Sequence, residues 1–334
     1  MLSRTIPFFL AIISPAACWD PLGHQTVGFL AQKYFTTQAN ETISSLIGLN
    51  SEFDIGDAAA WADTVRDKDG LPWSKNWHFI NPKGDDPATN TCKLSYPSDC
   101  PGANNDNCII SQILNQTSIV LNFSLPLPER RQSTMFLLHF FGDLHQPMHT
   151  SGYKYGGNLV RPVCWGRQPP CTEYINDTVP YERNLHATWD SAIPRKLRGL
   201  EPRTGVEETK RAAIAWAEDL WRDERDARGS RDQDADQDFE VDVYGARTII
   251  GYAEESNRLV CSSALSKGVE WVLSNDLSLG YYEENKEVVK AQVTKAGRRL
   301  AGWMNVLAAE LGRMQGMEKE SKGNNNNNNK WGDL

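Results

Sequence analysis

The chain has 334 residues, which is enough for one large domain or two small ones with a sizeable core. Hydrophobic residues make up 40% and charged residues 23% of the composition, as is typical of a globular protein. The formal net charge of −8 excludes the binding of a polyanion through a broad basic surface, so any contact with phosphate must use local positive charge.

The first eighteen residues are predicted to form a secretory signal peptide. Arg4 precedes the apolar stretch IPFFLAII, and the small residues of SPAAC then suit cleavage before Trp19. A buried N-terminal helix is the alternative. Loss of Arg4 changes the net charge from −8 to −9, and no later hydrophobic run has membrane-spanning length. The mature chain is therefore expected to be a secreted, soluble protein.

Helical patterns dominate the rest of the chain. Apolar residues recur at helical spacing in HQTVGFLAQKYF, STMFLLHFFGDLH, TKRAAIAWAEDLW, VYGARTIIGYAEESNRLVCSSALSKGVEWVL and EVVKAQVTKAGRRLAGWMNVLAAEL. Alternation typical of strands is scarce, and GGNLVRPV is the best candidate for a short β-hairpin. The predicted fold class is all-α, with one mostly helical domain over residues 19–315.

Residues 81–108 are rich in Pro, Gly, Asn and Asp, which predicts a long loop that needs cross-links. The mature chain would keep six cysteines, and an even number in an oxidising compartment favours disulfides, with fifteen possible connectivities. Sequence proximity favours Cys100–Cys108 and Cys164–Cys171, which leaves Cys92–Cys261. A zinc–thiolate site is less favoured because the chain contains no CxxC.

Three further features concern the surface. Four N-x-S/T sequons predict glycosylation at Asn40, Asn115, Asn122 and Asn176. The stretch RDERDARGSRDQDADQD is interpreted as a solvated loop, since it lacks the spacing of an EF-hand calcium loop. The tail over residues 316–334 is of low complexity and is predicted to be disordered.

Potential metal ligands are concentrated in HFFGDLHQPMH. His139 and Asp143 are four residues apart at the end of a predicted helix, so their side chains lie on one face. Pro147 should stop that helix, which leaves His149 free to turn back towards the pair. His145 points elsewhere and is predicted to be a structural or supporting hydrogen bonder.

The same spacing recurs in NLHATWD, where His186 precedes Asp190 by four residues. One such pair is commonly a solvent-facing pair, but two pairs with His149 between them favour zinc ligation. Acids and imidazoles occur in three further motifs: WADTVR with Asp63 and Arg66, WHFIN with His78, and WDPLGH with His24. Arg66 could instead form an ordinary helix salt bridge with Asp63 or Asp67.

These motifs, together with GGN, resemble those of the zinc-dependent S1/P1 nucleases in both order and spacing, from Trp19 to about Val272. The resemblance implies a helical domain of the phospholipase C/P1 nuclease type with three zinc ions. It also implies cleavage of single-stranded DNA and RNA to 5′-phosphorylated products, and removal of 3′-phosphates from nucleotides. A monomer that does not bind membranes is expected.

The resemblance also implies a set of metal ligands. The first zinc ion would be held by Asp63, His78, His139 and Asp143. The second would be held by His149, His186 and Asp190. The third would be held by the amine and carbonyl of Trp19, by His24, and by Asp143 as a bridge.

The residues expected to meet the substrate follow from the same motifs. Arg66 matches the family arginine near the scissile phosphate, and Asp63 is the second catalytic candidate. Phe79 matches the residue on which a nucleobase stacks, although simple core packing is the alternative. Further contacts to the base are expected from Asn81, Tyr155, Gly156, Gly157 and Asn158. Two departures from the family pattern are Asn81, where aspartate is frequent, and Asp20, where glycine commonly follows the tryptophan.

Two other functions remain open from the sequence. A zinc phospholipase C shares the architecture, but the gap between its N-terminal tryptophan and the next histidine ligand is longer than the five residues found here. A secreted zinc-binding protein without catalysis is the second alternative, against which Arg66 and the full set of ligands argue.

Overall fold

A computed structural model describes residues 19–68, 70–89, 91–171, 184–228 and 241–328. The described part is all-α, and it contains eleven α-helices and no β-sheet. Their bounds are α1 Pro21–Lys33, α2 Thr37–Ile47, α3 Ile55–Lys68, α4 Ile109–Leu121, α5 Leu127–Leu144, α6 Leu185–Ala187, α7 Ile193–Leu197, α8 Val206–Arg228, α9 Arg247–Leu259, α10 Val269–Ser274 and α11 Gly280–Asn328.

Helix α5 is the central element of the fold. Every residue from Ser133 to Leu144 is buried, so this half of the helix has no solvent-facing side. Helices α1, α3, α4 and α11 pack around it. A helix that is apolar on all sides is expected to lie in the interior. His139 and Asp143 are therefore carried into the core by the hydrophobic residues that surround them in the sequence.

The ends of the helices follow local sequence signals. Helix α1 begins at Pro21, and the carboxylate of Asp20 accepts a hydrogen bond from Leu22 N at 3.1 Å. Helix α2 is capped by Thr36 and ends at Gly48, which has a φ of +69°. Helix α5 ends at Leu144, three residues before Pro147, as predicted. A short 3₁₀ helix, Pro147–Thr150, follows and returns His149 to the interior.

Three disulfide bonds are present: Cys100–Cys108 and Cys164–Cys171, the pairs that sequence proximity favours, and Cys92–Cys261, the pair that remains. Two of them fasten the segment 81–108, which forms a loop with one 3₁₀ turn at Pro87–Thr89. The bond to Cys261 fixes this loop to the residues that follow α9. The loop predicted from composition is thus held near its middle and near its C-terminal end.

The predicted β-hairpin at GGNLVRPV is wrong. The segment forms successive turns, because the backbone takes positive φ values from Lys154 to Gly157. The described part contains two isolated β-bridges, one between Asp86 and Thr91 and one between Cys164 and Asp276. The alternation of apolar and polar side chains predicted an extended strand here. Two adjacent glycines instead permit a left-handed turn.

Helix α11 continues to Asn328, and the disorder expected for residues 316–334 stays a prediction. Met, Glu and Lys in residues 317–322 are good helix formers, so the helical pattern extends beyond the last buried turn. The signal peptide, Asn176, residues 229–240 of the charged loop and residues 329–334 lie outside the described residues. None of the described helices has the length and apolar character that crossing a membrane requires.

Candidate metal centre

Asp143 lies at the middle of a buried group of histidines. Its Oδ2 is 2.9 Å from His78 Nδ1 and 3.1 Å from His139 Nε2, and its Oδ1 is 3.3 Å from His24 Nε2. Asp63 completes the group from α3, with its Oδ1 3.6 Å from His139 Nε2. The predicted residues from four separate motifs are therefore brought together around the end of α5.

A second group is formed by His149, His186 and Asp190. His186 Nε2 lies 3.2 Å and His149 Nε2 lies 3.7 Å from the carboxylate of Asp190. Asp190 stands on a π-helical segment, Thr188–Ala192, that continues α6. The two groups are neighbours, because Asp143 Oδ1 is 3.6 Å from His149 Nδ1.

Main-chain carbonyl groups orient three of these imidazoles. The Nδ1 atoms of His139, His149 and His186 donate to the carbonyl oxygens of Ala59, His78 and Gly156, at 2.8, 2.7 and 2.6 Å. A carbonyl can only accept, so Nδ1 must carry the proton in each ring. Each Nε2 atom is then the nitrogen that can bind a metal ion in place of a proton, which is the usual arrangement around a metal site.

His145 belongs to none of the groups. Its Nδ1 donates to Phe141 O at 2.7 Å, and its Nε2 accepts from Arg299 Nη1 at 3.0 Å. Burial and the charge of Arg299 lower the pKa of His145 to about 3, so the ring is neutral. This arrangement fits the structural role that its sequence position predicts.

The segment at Trp19 borders both groups. Trp19 is fully buried, and its indole Nε1 donates to Gly142 O at 2.9 Å, next to Asp143 in the chain. The main-chain nitrogen of Asp20 donates to Asp190 O at 3.1 Å. The side chain of Asp20 turns away to cap α1 and to form an ion pair with Arg195. Asp20, which stands where glycine commonly follows the tryptophan, thus anchors this segment.

The chemistry of the buried atoms fits bound metal ions. Within the described part of the chain, His24 Nδ1 has no hydrogen-bond partner, and His24 Nε2 and His149 Nε2 face carboxylates without forming a hydrogen bond. Buried polar atoms are nearly always paired, and leaving one unpaired costs about 1–3 kcal/mol. Nitrogen and carboxylate oxygen are preferred ligands of zinc. Three sets of side chains place their ligand atoms within 4.8 Å of one another: His24, Asp63 and His139; His78, His139 and Asp143; and His149, His186 and Asp190.

The carboxylates make this region strongly attractive to positive charge. Burial acts to lower the pKa of His149, but the charges of Asp143 and Asp190 outweigh it and raise that pKa to about 9. Burial lowers the pKa of His78 to about 4, even though Asp143 opposes this change. Neighbouring imidazoles therefore differ widely in proton affinity, as is common where charged groups are concentrated at functional sites.

Arg66 lies beside the first group. Its Nη1 is 3.2 Å from Asp63 Oδ1, one helical turn earlier on α3, and its side chain is buried. The salt bridge considered from the sequence is therefore present. It also fixes the guanidinium group next to the metal-ligand candidates, where five donors in a planar fork suit a phosphate.

The candidate base-binding residues lie on two segments next to the centre. Phe79 and Asn81 follow His78 and are partly buried. Within the described residues, Phe79 is not among the partly buried hydrophobic side chains that pack against the core. On the second segment, Asn158 Nδ2 donates to Tyr155 O at 2.9 Å, and Tyr155 is 71% exposed.

A left-handed turn connects this second segment to the metal groups. Four successive residues have positive φ: Lys154 at 49°, Tyr155 at 55°, Gly156 at 59° and Gly157 at 79°. Gly156 is buried, and its carbonyl is the acceptor for His186. A Cβ atom on Gly156 would lie 2.5 Å from Met148 O, so the turn has no room for a side chain there.

Sequence patterns did not reveal Gln146, which is fully buried beside Asp190. Its Nε2 donates to Asp190 Oδ1 at 2.5 Å, and its Oε1 accepts from Met148 N at 2.6 Å. Its position within the histidine-rich stretch was the only available signal.

Comparison with known proteins agrees with this geometry. The S1/P1 Nuclease family model matches residues 19–309. Nuclease PA3 of a Penicillium species is 31% identical over 289 residues, covering 86% of this chain and 97% of that protein. Nuclease P1 of Penicillium citrinum is 31% identical with the same coverage, and nuclease S1 of Aspergillus oryzae is 28% identical over 92% and 99%. The chain therefore belongs to the S1/P1 nuclease family.

Proposed function

We propose that the protein is a zinc-dependent endonuclease that hydrolyses single-stranded DNA and RNA to 5′-phosphorylated products and also removes 3′-phosphates from nucleotides. The observation that carries this proposal is the cluster of His and Asp side chains around Asp143 and Asp190. The match to the S1/P1 family and the nuclease names of its relatives support the same activity.

The proposed ligands would hold three zinc ions. Asp63, His78, His139 and Asp143 would hold the first ion, and His149, His186 and Asp190 the second. Trp19, His24 and Asp143 would hold the third. When bound, zinc ions supply a nucleophilic water whose pKa is lowered to roughly 7, and positive charge for the oxygens of the phosphate.

The proposal also accounts for the acidic composition. Three divalent ions and the three ligating carboxylates would give a local charge of about +3. A protein with a net charge of −8 could then hold a phosphate without a basic surface. Arg66, fixed by Asp63, would add its guanidinium to the equatorial oxygens, where negative charge grows in the transition state.

Preference for single strands would arise from Phe79. A base that stacks on this ring cannot remain stacked in a duplex, and such stacking contributes roughly 1–3 kcal/mol for any base. The partial exposure of Phe79 and its absence from the core packing of the described residues support this role. Asn81 and Asn158 would donate and accept hydrogen bonds at the edge of the base, and the turn at Gly156 and Gly157 would allow close approach.

The decisive experiment offers the purified protein three substrates, each with and without a chelator. These are a labelled single-stranded oligonucleotide, its duplex, and phosphatidylcholine vesicles. We expect rapid cleavage of the single strand, slow cleavage of the duplex, and loss of both with the chelator. Hydrolysis of phosphatidylcholine alone would make the protein a phospholipase C. Zinc binding without any hydrolysis would make it a non-catalytic zinc protein.

A separate experiment tests the stacking role. Phe79→Ala should raise KM for a single-stranded oligonucleotide by about tenfold, since stacking is lost, and should leave the zinc content intact. Unchanged cleavage would remove Phe79 from the binding site. Unfolding of the variant would assign the ring to packing instead.

We further propose that the protein is secreted and glycosylated. Three disulfide bonds and the predicted signal peptide support export to an oxidising compartment. Asn40, Asn115 and Asn122 have exposed side chains, which glycosylation requires. Mass spectrometry of the secreted chain, before and after removal of N-glycans, would test both statements.

A further inference from the structure

Asp85 connects the two segments that carry the candidate base-binding residues. Its Oδ2 accepts hydrogen bonds from Ser151 Oγ at 2.9 Å and from Gly152 N at 3.1 Å. Phe79 and Asn81 precede Asp85 on the first segment. The left-handed turn and Asn158 follow Gly152 on the second. A single carboxylate therefore joins the two walls of the proposed base pocket.

Helix α9 contributes a third support to this connection. Asn257 is buried, and its Nδ2 lies 3.0 Å from Asp85 Oδ1 while also donating to Thr150 O at 2.7 Å. The side-chain amide of Asn257 thus binds both the segment of Asp85 and the segment of Thr150. The disulfide between Cys92 and Cys261 fixes the same loop to the residues just after α9.

The two segments are also in direct contact here. A Cβ atom on Gly152 would lie 1.9 Å from Pro82 O, so only glycine fits between Asp85 and the turn. This close approach leaves little freedom for adjustment. The carboxylate and its donors therefore hold the two segments at the point where their backbones meet.

The metal end of these segments is fixed independently. Ile80 N donates to His149 O at 2.9 Å, and His149 Nδ1 donates to His78 O at 2.7 Å. Loosening the contact at Asp85 should therefore move Asn81 and Tyr155, while His78, Phe79 and His149 stay in place.

We propose that Asp85 is a positioning residue that sets the width of the nucleobase pocket and thereby its affinity for bases. This inference rests on the proposed nuclease function. Asp85 itself touches no reacting atom. Its effect passes through Asn81 on one side and through Tyr155, whose main-chain nitrogen donates to Gly152 O, on the other.

The experiment compares two polymers of equal length, an oligothymidylate and a chain of stable abasic sites, as substrates of the zinc-loaded enzyme. Asp85→Asn replaces one acceptor oxygen by a donor that faces Asn257 and Ser151. We expect KM for oligothymidylate to rise about tenfold, as for the loss of a charged hydrogen bond, with kcat within about twofold. KM for the abasic polymer and the zinc content should not change.

Asp86→Asn is the matched control. Asp86 is the next residue, but among the described residues its carboxylate accepts hydrogen bonds within its own turn, from Ala88 N and Thr89 Oγ1. Both KM values should stay at the wild-type level. Asn257→Ala is a second test of the pocket, because it removes the support from α9 without altering Asp85. It should raise KM for oligothymidylate but not for the abasic polymer, and it carries the test if Asp85→Asn fails to fold.

Three outcomes would overturn the inference. Equal changes in KM for both polymers would place the effect at the phosphate or the metals. A fall in zinc content would assign Asp85 to the metal centre, and unchanged KM values would leave it a structural role only. Failure of the wild-type protein to cleave either polymer would instead overturn the proposed nuclease function.

Discussion

Asp143 is the most central residue of the candidate metal centre. Its two oxygens lie between 2.9 and 3.6 Å from four imidazoles, those of His24, His78, His139 and His149. Among the imidazoles of the described residues, Asp190 approaches two, those of His149 and His186. We expect Asp143→Asn to remove more zinc than Asp190→Asn, and to lower hydrolysis of single-stranded DNA by more than about 100-fold. Elemental analysis and initial rates measure the two effects.

Both variants replace a carboxylate by an amide of nearly equal size, so each serves as the steric control for the other. Zinc content and activity should fall together in both. Equal losses in the two proteins, or a larger loss for Asp190→Asn, would contradict a bridging role for Asp143.

Trp19 poses a different question at the same scale. Cleavage before Trp19 would convert an amide nitrogen into an amine with a pKa near 7.7–8.0, which zinc can deprotonate and bind. The fully buried Trp19 side chain and the bond from Asp20 N to Asp190 O place this segment beside both groups. A mature protein that carries one extra alanine before Trp19 should hold about one zinc fewer per molecule and lose most of its activity.

The control for this extension is the same mature protein beginning at Trp19, made and loaded in parallel. Circular dichroism should show equal helicity in the two proteins. Full occupancy and full activity of the extended protein would remove the Trp19 amine from the set of ligands.

The residues that could be found from the sequence share one property. His139 with Asp143, and His186 with Asp190, are one helical turn apart, so local spacing alone predicts that each pair meets. Gln146 and Asp85 could not be found this way, because their partners lie 44 and 66 residues away in the chain. Amides and carboxylates in loops carry no periodic signal, and only the packing of the segments reveals their contacts.

At the scale of elements, the left-handed turn from Lys154 to Gly157 links the proposed base pocket to the second candidate metal group. Gly156→Ala would bring a Cβ atom to 2.5 Å from Met148 O and move the carbonyl that orients His186. We expect this variant to lose zinc and to have a lower kcat for single-stranded DNA. Zinc titration and steady-state kinetics measure both.

Gly166→Ala is the control that separates the effect of backbone strain from the effect of the steric clash at Gly156. Gly166 has a φ of +71°, but a Cβ atom there would meet nothing within 4 Å. This variant should lose stability, by roughly 1 kcal/mol as judged from the cost of a left-handed side chain, and keep its zinc. Equal zinc losses in both variants would show that the turn acts through general stability.

The helices were easier to predict than the turn. Long apolar patterns indicated the five main helical segments, because burial of one face repeats every three to four residues. The turn was mistaken for a hairpin because alternation over eight residues fits extended chain as well as irregular turns. Two adjacent glycines have no Cβ atoms, so sterics do not favour an extended backbone over a left-handed turn.

At the scale of the whole molecule, Glu255 joins α9 to α11 through ion pairs with Lys295 and Arg299. Burial opposes the charge of this carboxylate, but the two basic groups outweigh it and lower its pKa from 4.5 to about 2. The stabilisation is therefore complete above pH 4.5 and is lost as the pH falls towards 2. We expect Glu255→Gln to lower the unfolding free energy by about 1–2 kcal/mol at pH 7, since partial exposure reduces the effect.

Thermal unfolding of wild type and variant between pH 7 and pH 2 tests this expectation. Their difference in Tm should shrink steadily below pH 4.5. Glu254→Gln, one residue earlier on the same helix, is the control for a change of net charge. A Tm difference that stays constant with pH, or equal effects of the two substitutions, would contradict the role of the ion pairs.

The position of Asp143 between several histidines also limits how this centre can change during evolution. His139 belongs to two of the three candidate metal groups, and Asp143 is close to members of all three. A substitution at either residue would alter several candidate metal sites at once. The metal preference of one site therefore cannot change through these residues without affecting the others. His186 and Asp190 serve one group alone. Divergence in metal preference among relatives should therefore begin at that group, while the residues of α5 remain fixed.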